Sequence, residues 1–129
     1  MKTSPFNFTH MKHILSEINP TEKIPGFYGR FVHMEGFTLA YWEVKEGAIL
    51  PEHSHENEQI TQVIRGRMRF RMGENGEQEI ELGPGDVVVI PAFVPHEALA
   101  IGDVEEMDLW APRRQDWLDG SDDYLRQRD

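Results

Sequence analysis

The sequence predicts a small all-β domain, a sandwich or barrel, followed by a short, partly helical tail. Its 129 residues suffice for one domain around one core. From about residue 28 to 111, runs of β-branched and aromatic residues recur at roughly ten-residue spacing, each cut by turn residues. Within one run, "MRFRM" (68–72), Met68, Phe70 and Met72 alternate with Arg69 and Arg71. That period of two gives a strand one apolar and one charged face.

In order along the chain, residues 1–27 read as an N-terminal arm and first strand, 28–112 as the barrel and 113–129 as a charged tail. "FTLAYWEV" (37–44) is rich in strand formers, and "EGA" (46–48) turns the chain. "ITQVI" (60–64) reads as a strand and "RGR" (65–67) as a break before "MRFRM". "GENGEQ" (73–78) is a polar turn, "EIEL" (79–82) a strand and "GPGD" (83–86) a tight turn. "VVVI" (87–90) reads as a fully apolar strand, and Pro91 and Pro95 bracket the next connection. "AIGDV" (100–104) reads as a turn. In "VEEMDLWA" (104–111), Met107 and Leu109 share one face and Glu106, Asp108 and Trp110 the other. The alternation does not say which face is inside. In the tail, Trp117, Leu118, Tyr124 and Leu125 are placed to anchor short helical turns.

Composition narrows the functions. A net charge of −10 without a basic cluster argues against a nucleic-acid partner. No apolar run approaches the roughly 20 residues that cross a bilayer. The N-terminus "MKTSPFNFTHMKH" lacks the apolar stretch of a secretory signal, so a cytoplasmic location is expected. With no cysteine, any metal must be held by nitrogen and oxygen.

"PEHSHENEQ" (51–59) concentrates two of the six histidines. On a strand His53 and His55 point the same way, about 7 Å apart, and Gln59 keeps that parity where the strand resumes without a bulge. Two imidazoles on one face can share a metal, to which Gln59 can add its amide oxygen. "IPAFVPHEA" (90–98) supplies a third, His96. His10, His13 and His33 have no such company and read as ordinary surface or core residues.

These two segments resemble the two motifs of the cupin superfamily. The first runs Gly, five residues, His, one residue, His, three or four residues, Glu, six residues, Gly. It is met by Gly47, His53, His55, Gln59 and Gly66. The second runs Gly, five residues, Pro, one residue, Gly, two residues, His, three residues, Asn. It is met by Gly85, Pro91, Phe93, His96 and Ala100. Every spacing fits, and three residues depart: Gln59 for Glu, Phe93 for Gly and Ala100 for Asn. The resemblance implies a single-domain cupin, a jelly-roll-type barrel or double-stranded β-helix. It implies one divalent metal inside, held by His53, His55, His96 and Gln59. The ligands suit zinc, nickel, iron or manganese. With glutamine in place of glutamate all four ligands are neutral, and the metal keeps its full +2 charge. That favours an anionic guest and a Lewis-acid over a redox role.

"PEHSHENEQIT", "VVVIPAFVPHEA" and "MDLWAPRRQDWL" further resemble the bacterial pectin-degradation cupins. Those proteins linearise 4,5-unsaturated uronates released from pectin or alginate. Their pattern Asp, one residue, aromatic, one residue, Pro, one residue, Arg falls on Asp108, Trp110, Pro112 and Arg114. The resemblance implies Asp108 as acid/base, Arg114 as a bidentate holder of the substrate carboxylate and Trp110 packed on the sugar face. Arg30 is a candidate second basic contact if its strand points inward. The implied partners are a small anionic sugar acid and a second copy of the chain in a homodimer. Two alternatives stay open: an iron or manganese dioxygenase or lyase acting on a small organic acid, and a non-catalytic cupin that binds a sugar acid.

Overall fold

The structure is a computed structural model that describes residues 4–9 and 11–126. Eight antiparallel strands form it: β1 (Thr21–Ile24), β2 (Phe27–His33), β3 (Thr38–Val44), β4 (Ile49–His53), β5 (Glu58–Met72), β6 (Gln78–Leu82), β7 (Val87–Ile90) and β8 (His96–Ala111). A short helix α1 (Gln115–Asp119) follows, with single 3-10 turns at Leu15–Glu17 and Asp123–Arg126.

β5 and β8 each belong to two layers. The first half of β5 pairs with β7 and with the second half of β8, which also pairs with β3; β2 and β1 continue that layer. The second half of β5 pairs with β6 and with the first half of β8, whose other neighbour is β4. Both long strands turn the corner where their register slips, between Val63 and Arg67. Gly66 sits there at φ +83°, and a Cβ at that position would collide with the Asp103 carbonyl. The "RGR" segment is therefore a bend within one continuous strand. "AIGDV" is likewise a bend, around Gly102 at φ +75°, and not a turn. Extending both strands through the corner lets backbone hydrogen bonds hold the two layers together.

Side chains on the inner faces interleave as the core, among them Ala40, Trp42, Val44, Val63, Met68, Phe70, Ile90 and Val104. "VVVI" departs from its fully apolar reading: Val88 and Ile90 are buried, while Val87 and Val89 are 52% and 61% exposed. Only one face of β7 meets the core. Arg65, Arg67, Arg69 and Arg71 lie along the outer side, paired with Glu105, Glu81, Glu79 and Glu97. In the tail, Trp117, Tyr124 and Leu125 pack on the core, but Leu118 is exposed and anchors nothing. His13 is an exposed residue in a stretch without regular structure; His10 lies outside the described residues.

Candidate metal centre

His53 ends β4, His55 follows in the loop, and His96 opens β8, where it pairs with His53. The three histidines converge although His55 is not on a strand: one ligand nitrogen from each lies within 4.8 Å of the others. Each ring is fixed from behind. Nδ1 of His53 donates to the Pro51 carbonyl (2.8 Å), that of His55 to Asn57 (3.0 Å) and that of His96 to Val94 (3.0 Å). A carbonyl only accepts, so each proton sits on Nδ1 and each Nε2 presents a lone pair inward. Burial pushes His53 down to about 3 and His96 down to about 4, and also lowers His55, so all three stand neutral at pH 7.

Gln59, at the start of β5, lies beside the three histidines. Trp110 Nε1, which can only donate, reaches its Oε1 at 2.8 Å, and that fixes which amide atom is oxygen. The same Oε1 lies 3.0 Å from His55 Nε2. Two lone pairs then face each other, a repulsive contact that a cation between them turns into an attractive one. His96 Nε2 is buried with no hydrogen-bond partner. An orphaned imidazole nitrogen and two opposed acceptors fit a divalent ion.

Behind the histidines runs a buried chain of hydrogen bonds. Gln59 Nε2 donates to Thr61 Oγ1 at 2.9 Å, and the Thr61 hydroxyl donates to Asp108 Oδ1. The second half of β8 turns Glu106, Asp108 and Trp110 inward, all buried, and leaves Met107 and Leu109 on the outer face. Burial raises the Asp108 carboxyl to about 6 against the opposing bond from Thr61 and the charge of Arg114. Burial, then the Asp108 charge, raises Glu106 as well, and its Oε2 has no partner.

Arg114 is 1% exposed and already occupied. Its Nε and Nη2 bind Asp116 Oδ1 and Oδ2 at 3.0 and 2.8 Å, and Nη2 also reaches Tyr124 Oη at 2.7 Å. The guanidinium stacks on Trp117, 3.9 Å from the ring centre. The fork expected for a substrate carboxylate thus holds a carboxylate of the chain itself. Arg30 faces away from the site: its Nε donates to the Ile18 carbonyl at 3.0 Å and its Nη1 lies 3.5 Å from Glu43.

Two spaces flank the histidines. An interior cavity of about 30 Å³ is lined by His53, Gln59, Glu106, Asp108, Trp110 and Arg114, among others. An outer groove of about 320 Å³ is lined by Ser54, His55, Glu56, Asn57, Gln115, Asp116, Ser121 and Tyr124.

A profile described as the cupin domain matches residues 40–110. The chain is a cupin. Among solved structures, KdgF from Halomonas sp. superposes with a TM-score of 0.74 at 28% identity, over 81% of this chain and 94% of that one. An RmlC-like cupin from Shewanella frigidimarina does so at 0.73 and 18% identity, over 89% and 96%. A variant of Bacillus subtilis oxalate decarboxylase does so at 0.68 and 23% identity, over 76% of this chain but only 28% of its own length. The last two speak for the fold alone. No curated protein matches the chain.

Several residues of this cupin site escape a reading of the sequence. Thr61 looked like one more strand threonine, yet it links Gln59 to Asp108. Asn57 accepts from His55 through its carbonyl and donates from its side chain to the Pro112 (2.6 Å) and Arg113 (3.2 Å) carbonyls, tying loop to tail. Glu106 was visible through its shared parity with Asp108. Nothing in the sequence marked Asp116 or Tyr124.

Proposed function

We propose that this cupin linearises 4,5-unsaturated uronate monosaccharides in a metal-dependent reaction. The observation that carries the reading is a neutral four-donor set, His53, His55, His96 and Gln59, joined through Thr61 to the buried carboxyl of Asp108. The sequence resemblance to pectin-degradation cupins and the likeness in fold to KdgF from Halomonas sp. support it. When bound by those four residues, a divalent ion would supply a full positive charge that attracts a carboxylate and stabilises developing negative charge.

The chain's own residues do the rest. Ring opening removes the proton of the hemiacetal hydroxyl, forms the C1 carbonyl and breaks the bond from C1 to the ring oxygen. The former ring oxygen leaves as an enolate, and C4 of that enolate then takes the proton, leaving a ketone at C5. Asp108 accepts the first proton and returns it at C4; Thr61 holds its carboxyl in place. A carboxyl raised to about 6 is suited to both tasks near neutral pH. Trp110, fixed by its bond to Gln59, walls the sugar side. The chain works as a homodimer, paired through the outer sheet face that exposes Ile60, Ile64, Val87 and Val89.

The test is the loss of the conjugated ultraviolet absorbance of a lyase digest of pectin or alginate, with and without chelator. Wild type accelerates the loss and chelator abolishes the effect. Asp108→Asn slows it roughly a hundredfold or more with metal content unchanged. An Asp108→Asn protein at full rate removes Asp108 from the mechanism, and a wild type without effect on the digest refutes the reading.

A further inference from the structure

The interior space is the smaller, about 30 Å³, whereas the outer groove, about 320 Å³, has the volume of a small-ligand site. Arg114 lines the first; Asp116 and Tyr124 line the second. Their mutual bonds form part of the partition between the two spaces.

We propose that Asp116 is a specificity-determining residue, an internal stand-in for the ligand's carboxylate that only a competing carboxylate displaces from Arg114. This rests on the uronate reading in one respect, that the guest is a sugar acid. The pair has the side-on, two-bond geometry by which a guanidinium recognises any carboxylate. The two partners are unequally placed. The Arg114 side chain is 2% exposed, clamped over Trp117 with its amide bound to Thr38, and cannot leave. The Asp116 side chain is 19% exposed and borders the groove, into which it can rotate. The groove also contains His55, so a carboxylate in the place of Asp116 lies beside the metal ligands. Tyr124 steadies the resident state by donating to Asp116 Oδ2 at 2.7 Å. A neutral sugar offers nothing to replace Asp116 and leaves the buried guanidinium paired. The exchange makes the site selective for acids at a cost in affinity.

The probe is galacturonate, a saturated uronate that cannot undergo the reaction, titrated calorimetrically into metal-loaded protein with galactose as the neutral control. Asp116→Asn binds galacturonate about tenfold tighter than wild type, with galactose affinity unchanged. Glu56→Gln removes a negative charge from the same groove without touching Arg114 and changes affinity by less than about twofold. If Asp116→Asn does not fold, Tyr124→Phe, which removes the hydroxyl that donates to Asp116 and accepts from Arg114, is read instead and shows the same selective gain. Unchanged or weaker galacturonate binding overturns the proposal. So does an equal gain for galactose, an equal gain in Glu56→Gln, or no binding by any of these proteins. Turnover plays no part, so a wild type inert toward unsaturated uronates sinks the catalytic reading and leaves this result standing.

Discussion

Replacing Thr61 by valine tests the link between Gln59, the proposed metal ligand, and Asp108, the proposed acid/base. The side chains are nearly isosteric and Thr61 is fully buried, so packing is preserved and only the hydroxyl is lost. That hydroxyl accepts from Gln59 Nε2 and donates to Asp108 Oδ1. Its removal strands a buried amide donor and a buried carboxyl acceptor, each costing about 1–3 kcal/mol. A loss of about 3 kcal/mol is a large share of a domain's 5–15 kcal/mol. At about 3 °C per kcal/mol for a domain of this size, the melting temperature falls by about 10 °C. Among the chain's own groups, the Thr61 bond is the first that holds the Asp108 pKa down against burial, so the acid limb of the activity profile moves to higher pH. Thr61→Ser keeps the hydroxyl and loses a methyl group, so it retains the profile at a cost of about 1 kcal/mol. Differential scanning calorimetry and a pH–rate profile read both effects. A Thr61→Val protein melting within about 2 °C of wild type, with an unmoved profile, would refute the relay.

The remaining predictions concern the buried carboxyl, the strained loop and the tail. The folded-state pKa of Glu106 is raised, so between its unfolded and folded values the native state holds the extra proton. Stability conferred below the unfolded pKa is lost as pH rises, at up to about 1.4 kcal/mol per pH unit. Glu106→Gln removes that fall: denaturation curves coincide near pH 4 and favour the variant at pH 8, and parallel pH dependence in both proteins would contradict the assignment. Phe93 takes φ +67° where the cupin motif has glycine, and its side chain is 69% exposed. Phe93→Gly relieves left-handed strain and stabilises by about 1 kcal/mol, measured by urea denaturation; a destabilised variant would refute it. Asn57→Ala frees the Pro112 and Arg113 carbonyls, so limited proteolysis cuts residues 113–126 faster, and an unchanged cleavage rate would count against the tie.

The clustering of the three histidines was legible because it follows local rules. Their spacing matches a motif in two segments, and β4 and β8 need only pair at His53 and His96 to bring the segments together. Strand existence was equally legible, since turn residues punctuate it. Continuity was not: Arg65, Gly66 and Arg67 look like a break, and only the opposing bend of β8 at Gly102 makes them a corner. One-sided burial of "VVVI" depends on which strand β7 joins, which no local pattern records. The inward turn of Asp108 follows from the register of β8 against both β3 and β5, where its partners Ala40 and Thr61 lie far from it in sequence. The pairing of Arg114 was least legible. Its partners stand two and ten residues on, in a tail whose charge pattern looks solvated until Trp117 and Leu125 bury it.

The most direct test of the central claim, a neutral three-histidine, one-glutamine metal centre, is a count of divalent ion bound per chain against a chromophoric chelator, wild type beside His96→Ala. The account predicts one ion per wild-type chain and none retained once the His96 imidazole is gone. Equal stoichiometry and affinity in the two proteins, or no binding by wild type, would contradict it.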